Sequence, residues 1–191
     1  MANFDVAVEH TFGKEGGFTG EHGLPGDSGG PTNMGVTLQT LRSVLRADAD
    51  FNHDGVVDWK DVEALPREVA KEKIYRPRYW DAPGFGAIRK QAVATKAFDL
   101  DVHAGPPAAI AVLQRAVNEA RRTGMGFLRI DGQIGPLTLQ AIERCDDELL
   151  LRAFAAEQAS FYLALIEADP AKEGFRRNWL ARARWPFGRN A

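Results

Sequence analysis

Three observations predict a mainly α fold with a small β element beside a cleft. Apolar residues recur at helical spacing along most of the 191 residues. Prolines and glycines mark the starts and stops of those stretches. Strand signals are few, limited to short pieces near 18–36 and 127–134. With 45% hydrophobic and 26% charged residues, a chain of this length buries about 70% of its unfolded surface and needs no disulfide to fold. The single cysteine, Cys145, has no partner in the chain and falls in a helical pattern, which reads as a buried structural thiol.

The elements follow in order. Phe4, Ala7, Val8, Thr11 and Phe12 form one face of a first helix, which Gly16 and Gly17 stop. A glycine-rich loop follows. Leu38, Leu41, Val44 and Leu45 make a second helical face, opened by Thr37 as its cap. Pro66 suits the first turn of "PREVAKEKIY", and Pro77 helps end it. "RKQAVATKAFDLDVHAG" is helical up to Gly105, and "PPAAIAVLQRAVNEARR" is a helix entered through its prolines. "LRIDGQIGPLTLQAI" reads as a turn or short hairpin around Asp131-Gly132, then a helix with Pro136 at its first position. Asp146 or Asp147 caps "ELLLRAFAAEQASFYLALIEA", which Pro170 closes.

The formal charge of −2 gives no sign of a nucleic-acid partner. The opening "MANFDVAVEH" lacks the basic and long apolar regions of a secretory signal. No apolar run approaches the roughly 20 residues that span a bilayer. These features predict a monomer made in the cytoplasm without a transmembrane segment.

"DFNHDGVVDWKD" is the most specific short motif. An EF-hand loop needs oxygen donors at positions 1, 3, 5, 9 and 12, a backbone carbonyl at 7 and glycine at 6. Asp50, Asn52, Asp54, Asp58 and Asp61 supply the side chains, Val56 the carbonyl and Gly55 the turn. Starting instead at Asp48 would put His53 where glycine is required. Asp61 stands in place of the usual, longer Glu. The motif predicts a structural Ca²⁺ clamp rather than a sensor, since one loop is present without a partner hand.

Glu15 falls next to two glycines at the predicted end of the first helix. There the unpaired carbonyls disfavour an anion by about 0.3–1 kcal/mol. Shielded by Phe12 and Phe18, its carboxyl would titrate high, as the general acid of a glycosidase must to protonate a leaving oxygen. Gly16 and Gly17 would leave backbone bare for a bulky sugar. In "GDSGGPTNMGVT", Asp27 could be a second carboxylate or could bond backbone amides in a turn. Thr32 or Asn33 could position a water or a sugar hydroxyl.

"EGGF…DSGGPTNMGVT" resembles the N-terminal signature of glycoside hydrolase family 108, the lysozyme-like N-acetylmuramidases of bacteriophage endolysins and related bacterial proteins. "IYRPRYWD", "AFDLDVHAG", "AVLQRAV", "DGQIGPLTLQAI" and "FRRNWLARA" continue the resemblance in the family's order, over nearly the whole chain. It implies a lysozyme-like helical fold: a catalytic region at 1–90 that includes loop 50–61, and a helical peptidoglycan-binding region at 91–191, packed as one globule. It also implies Glu15 as the catalytic glutamate, with Asp27 and Thr32 matching the Asp and Thr of the second block. The loop between Phe18 and Gly29 is longer than in the family pattern, which leaves Glu21 as a rival second carboxylate. His103 stands where the family commonly has Asn, and Asn178 where Gly precedes the Trp.

Phe18, Asn33, Trp80, His103 and Gln114 are the candidate substrate-binding residues. Trp80, Trp179 and Trp185 could stack on sugars or fill the core, and Gln114 could reach the cleft or face solvent. Phe98 and Leu100 read as core, Asp99 and Asp101 as cap or network residues. The resemblance implies hydrolysis of the β-1,4 bond between N-acetylmuramic acid and N-acetylglucosamine in bacterial peptidoglycan, reached in the periplasm after release from the cytoplasm. A lytic transglycosylase and a non-catalytic, calcium-stapled wall-binding module are the alternatives.

Overall fold

A computed structural model describes residues 1–13, 17–22, 30–121, 124 and 126–187. Among them the fold is mainly α, with one two-stranded sheet. Helix α1 (Phe4–Phe12) buries Phe4, Ala7, Val8, Thr11 and Phe12. The Asn3 side chain caps it, accepting from the Asp5 amide at 2.7 Å. The helix stops at Phe12, not at Gly16. Gly13 then forms a turn, its N–H donating to the Glu9 carbonyl at 3.1 Å. Contacts divide the chain into two compact units, Val8–Ala82, and Met1–Ala7 with Pro83–Ala191.

In the first unit, β1 (Thr32–Asn33) and β2 (Val36–Thr37) pair antiparallel, Thr32 opposite Thr37 and Asn33 opposite Val36. The hairpin turns on Met34 and Gly35, with φ of 49° and 74°. Positive φ at both central residues matches the right-handed twist of the strands. It strains a methionine, and the buried Tyr75 hydroxyl compensates by donating to the Met34 carbonyl at 2.6 Å. Thr37 caps α2 (Leu38–Val44), its hydroxyl accepting from the Thr40 amide.

The short helix α3 (Trp59–Ala64) opens with a reciprocal capping box between Asp58 and Asp61. Pro66 precedes α4 (Arg67–Val69), which widens into π-helical turns over Ala70–Asp81. Pro77 lies inside this stretch rather than ending it. A proline ring clashes with the carbonyl four residues back in an α-helix. The wider winding accommodates it, and the Ala82 amide reaches the Pro77 carbonyl at 3.2 Å.

In the second unit, α5 (Gln91–Ala104) is buried continuously from Val93 to Asp101. Gly105, at φ 84°, separates it from α6 (Pro106–Ala120). Helices α7 (Pro136–Arg144), α8 (Asp147–Ala168) and α9 (Arg176–Arg184) follow, α7 entered through Pro136 and α8 capped by Asp146. Cys145 is buried, its Sγ 3.9 Å from the Val117 carbonyl.

No strand forms at 127–134, because side chains of α6 do what a partner strand would do. Gln114 Oε1 accepts from the Asp131 and Gly132 amides at 3.0 Å each, and its Nε2 donates to Asp131 Oδ1 and the Gln133 carbonyl. One turn along, Asn118 makes both bonds to the Leu128 backbone. Helix α8 is long and apolar enough, by length and composition, to cross a membrane, a longer apolar stretch than the sequence reading allowed. It buries Leu150, Leu151, Phe154, Gln158, Tyr162 and Ile166 and packs on α6 and α9.

Gln114→Ala would remove four bonds to the 131–133 turn and leave it the Thr138 hydroxyl, which donates to the Gln133 carbonyl at 3.4 Å. Each such bond is worth about 1 kcal/mol net, so urea unfolding is expected to show a loss of about 4 kcal/mol.

Candidate active site

Glu15 and Asp27 lie outside the described residues, as does Gly16. Helix α1 is described as far as Phe12. The residues that bracket the two carboxylates are held by specific contacts. Phe12 packs edge-to-face on Tyr75, with centroids 4.9 Å apart, and carries the Arg67 guanidinium over its ring. Thr19 pairs with Thr32: the Thr19 amide donates to the Thr32 carbonyl at 2.9 Å and the Thr32 amide to Thr19 Oγ1 at 3.0 Å. Thr32 Oγ1 in turn donates to the Gly30 carbonyl. Asn33 Nδ2 donates to the Val62 and Glu63 carbonyls at 2.9 and 3.1 Å, satisfying the C-terminal end of α3. Glu21, the rival carboxylate, is exposed.

Phe18 lies nearly parallel to Trp59, with centroids 6.2 Å apart and planes at 17°. Both rings are half-buried. The sequence alone does not mark Trp59 as a candidate. Its only local signal was its place directly after Asp58, inside the acidic loop.

Two other candidates have internal roles. Trp80 is 4% exposed, so it has no face to offer a sugar. Gln114 is 1% exposed and bonded to the 131–133 turn, so it neither reaches a cleft nor faces solvent. His103 packs edge-on against Tyr162 and Trp179, each at 5.2 Å, and Phe175 stacks on the outer side of Trp179. Burial first, and then the Arg182 charge, push its imidazole down to about 4, against a smaller opposing pull from Asp99. It is therefore neutral at pH 7, and its Nδ1 is buried with no hydrogen-bond partner among the described residues.

In loop 50–61, Asp50 accepts from the Asp54 and Gly55 amides at 3.1 and 3.0 Å, and Gly55 adopts φ 84°. Asp61 is fully buried. Its Oδ1 accepts from Phe51 and its Oδ2 from Asp58. The Val56 amide above all, joined by Asn52 and Lys60, holds the Asp54 carboxyl below its usual range against the opposing effect of desolvation. The Lys60 ammonium lies 3.4 Å from Asp54 and 3.9 Å from Asp58. Among the described residues, no three His, Cys, Asp or Glu side chains converge on a metal-sized site.

The sequence model for "Glycosyl hydrolase 108" matches residues 8–105. The chain belongs to glycosyl hydrolase family 108. In this family member, a second model described as "Predicted Peptidoglycan domain" matches residues 108–184. Together they make the chain a glycoside hydrolase directed at peptidoglycan. Among solved structures it is similar to SagA of Brucella abortus, at 28% identity and a TM-score of 0.66, over 94% of this chain and 88% of that one. No curated protein matches it.

The depressed pKa of His103 has a sign. The unfolded imidazole binds a proton near pH 6.5 and the folded one near 4, so the unfolded state takes up more protons between these values. Stability is then full above pH 6.5 and falls by about 3 kcal/mol as pH drops toward 4. Urea unfolding of wild type and His103→Asn across this window is expected to show that loss in wild type only.

Proposed function

We propose that this family 108 enzyme is an endolysin-type N-acetylmuramidase, cleaving the β-1,4 bond between N-acetylmuramic acid and N-acetylglucosamine. Glu15 protonates the glycosidic oxygen as the bond breaks. Asp27, aided by Thr32, stabilises the oxocarbenium-like transition state or orients the attacking water. The supporting observation is the Glu15-Gly16-Gly17 sequence within the family match at 8–105. The contacts of Phe12, Thr19, Gly30 and Thr32 fix the described residues on either side of both carboxylates.

Incubation with purified sacculi tests this reading. Glu15→Gln is expected to release muropeptides about 10²–10⁴-fold more slowly, the usual contribution of a positioned general acid. Mass spectrometry of the wild-type products is expected to show reducing ends. Products ending in 1,6-anhydro sugars would assign a lytic transglycosylase instead, and sedimentation without new ends a binding module.

Loop Asp50–Asp61 is proposed to hold Ca²⁺ through Asp50, Asn52, Asp54, Asp58, Asp61 and the Val56 carbonyl, as a structural clamp. Supporting this are the left-handed Gly55 and the Asp50 carboxylate closed over the Asp54 and Gly55 amides. Lys60 has to swing away for the ion to enter. At 100 times its dissociation constant, Ca²⁺ is expected to stabilise the fold by about 2.7 kcal/mol. Thermal unfolding with and without a chelator measures this, and Asp50→Ala abolishes the difference.

A further inference from the structure

Trp59 is the first residue of a helix only six residues long, Trp59–Ala64, yet both ends of that helix are tied down. At its start, Asp58 accepts from the Lys60 amide at 2.8 Å while the buried Asp61 accepts from Asp58. Asp61 also accepts from Phe51 and Asn52, so one carboxylate joins the helix to the loop before it. At its end, Asn33 Nδ2 bonds the Val62 and Glu63 carbonyls. Phe18, across from Trp59, is fixed by the Thr19–Thr32 pairing one residue along.

This bonding sets two aromatic planes within 17° of parallel, and neither ring is fully covered. A tryptophan that only filled the core would be buried, as Trp80 is. The Trp59 indole N–H donates to no group among the described residues. A Cβ built on Gly17 or Gly20, on either side of the Phe18–Thr19 pair, meets no atom of the described residues within 4 Å. A flat, part-exposed aromatic face with a free donor at its edge matches an N-acetylated hexose. The C–H face of the sugar packs on the ring, and its hydroxyl or acetamide oxygen accepts from the indole.

We infer that Trp59, backed by Phe18, is a sugar-binding platform that positions the glycan strand in the N-terminal unit, held in place by loop 50–61 through Asp61. This rests on the reading of the chain as an enzyme acting on the peptidoglycan glycan. Trp59 is a positioning residue, so its loss raises KM and leaves kcat nearly unchanged.

The probe is a soluble tetrasaccharide of alternating N-acetylglucosamine and N-acetylmuramic acid. Trp59→Ala is expected to raise KM about tenfold, the scale of one lost aromatic stack, with kcat within about twofold, and Trp59→Tyr to recover most of it. Wild-type protein supplies a readout that needs no folded variant. The Trp59 indole resonance, assigned by comparison with Trp59→Phe, is expected to shift as the tetrasaccharide saturates. Tetrasaccharide that binds wild type and leaves that resonance unmoved, or binds Trp59→Ala as tightly, overturns the inference while the proposed function stands. Tetrasaccharide neither bound nor cleaved by wild type overturns both. Full turnover by Glu15→Gln with a shifting indole removes the acid assignment and supports the platform.

Discussion

Nine consecutive buried residues in α5 impose the main constraint on the C-terminal unit, because the polar groups among them must find partners inside the protein. Lys96 Nζ donates to the Ala183 and Trp185 carbonyls at 2.7 and 2.8 Å, a cation at the C-terminal end of α9 where unpaired carbonyls concentrate negative potential. One turn on, Asp99 grips Arg182 of the same helix through two bonds of 2.8 and 3.0 Å. Opposite charges on α5 thus hold opposite groups on α9, and helix register follows from that match. A buried pair of this kind is costly to break, since removing one partner leaves an uncompensated charge. His103, one turn further along α5, lies in the field of the same pair and among the aromatic rings that α8 and α9 bring to it.

The N-terminal unit follows a different rule: side chains repeatedly stand in for backbone. Asn33 ends a helix, Tyr75 supports a strained turn and Thr19 extends the edge of a two-residue strand. Elements this short have few ladder bonds of their own, so the frame around the glycine-rich segment depends on single side chains. That arrangement suits a hydrolase of polymeric sugar.

Much of the helical body was legible in the sequence. Thr37, Asp146, Pro106 and Pro136 mark helix starts through local chemistry, and Gly105 marks a stop because only its backbone takes the required φ freely. What could not be read depended on distant partners. The 127–134 stretch carried a plausible strand pattern, but Gln114 and Asn118 met its backbone first. Pro77 looked like a terminator until wider winding absorbed it. Of the candidate site, Thr32 pairs with Thr19, Asn33 ties down the end of α3, and Phe18 stacks on Trp59. Trp80 and Gln114 turned inward, because a bulky apolar ring and a four-valent amide both gain more from burial than the local sequence discloses. Trp59 carries no legible signal in the sequence, because the acidic residues around it point to an ion site.

Burial of Cys145 against α6 has a practical corollary. With its one thiol enclosed and no second sulfhydryl in the chain to meet it, the protein owes none of its cohesion to oxidation. Reducing and oxidising surroundings leave its intramolecular cross-linking equally absent, so passage from one to the other demands no thiol remodelling of the fold.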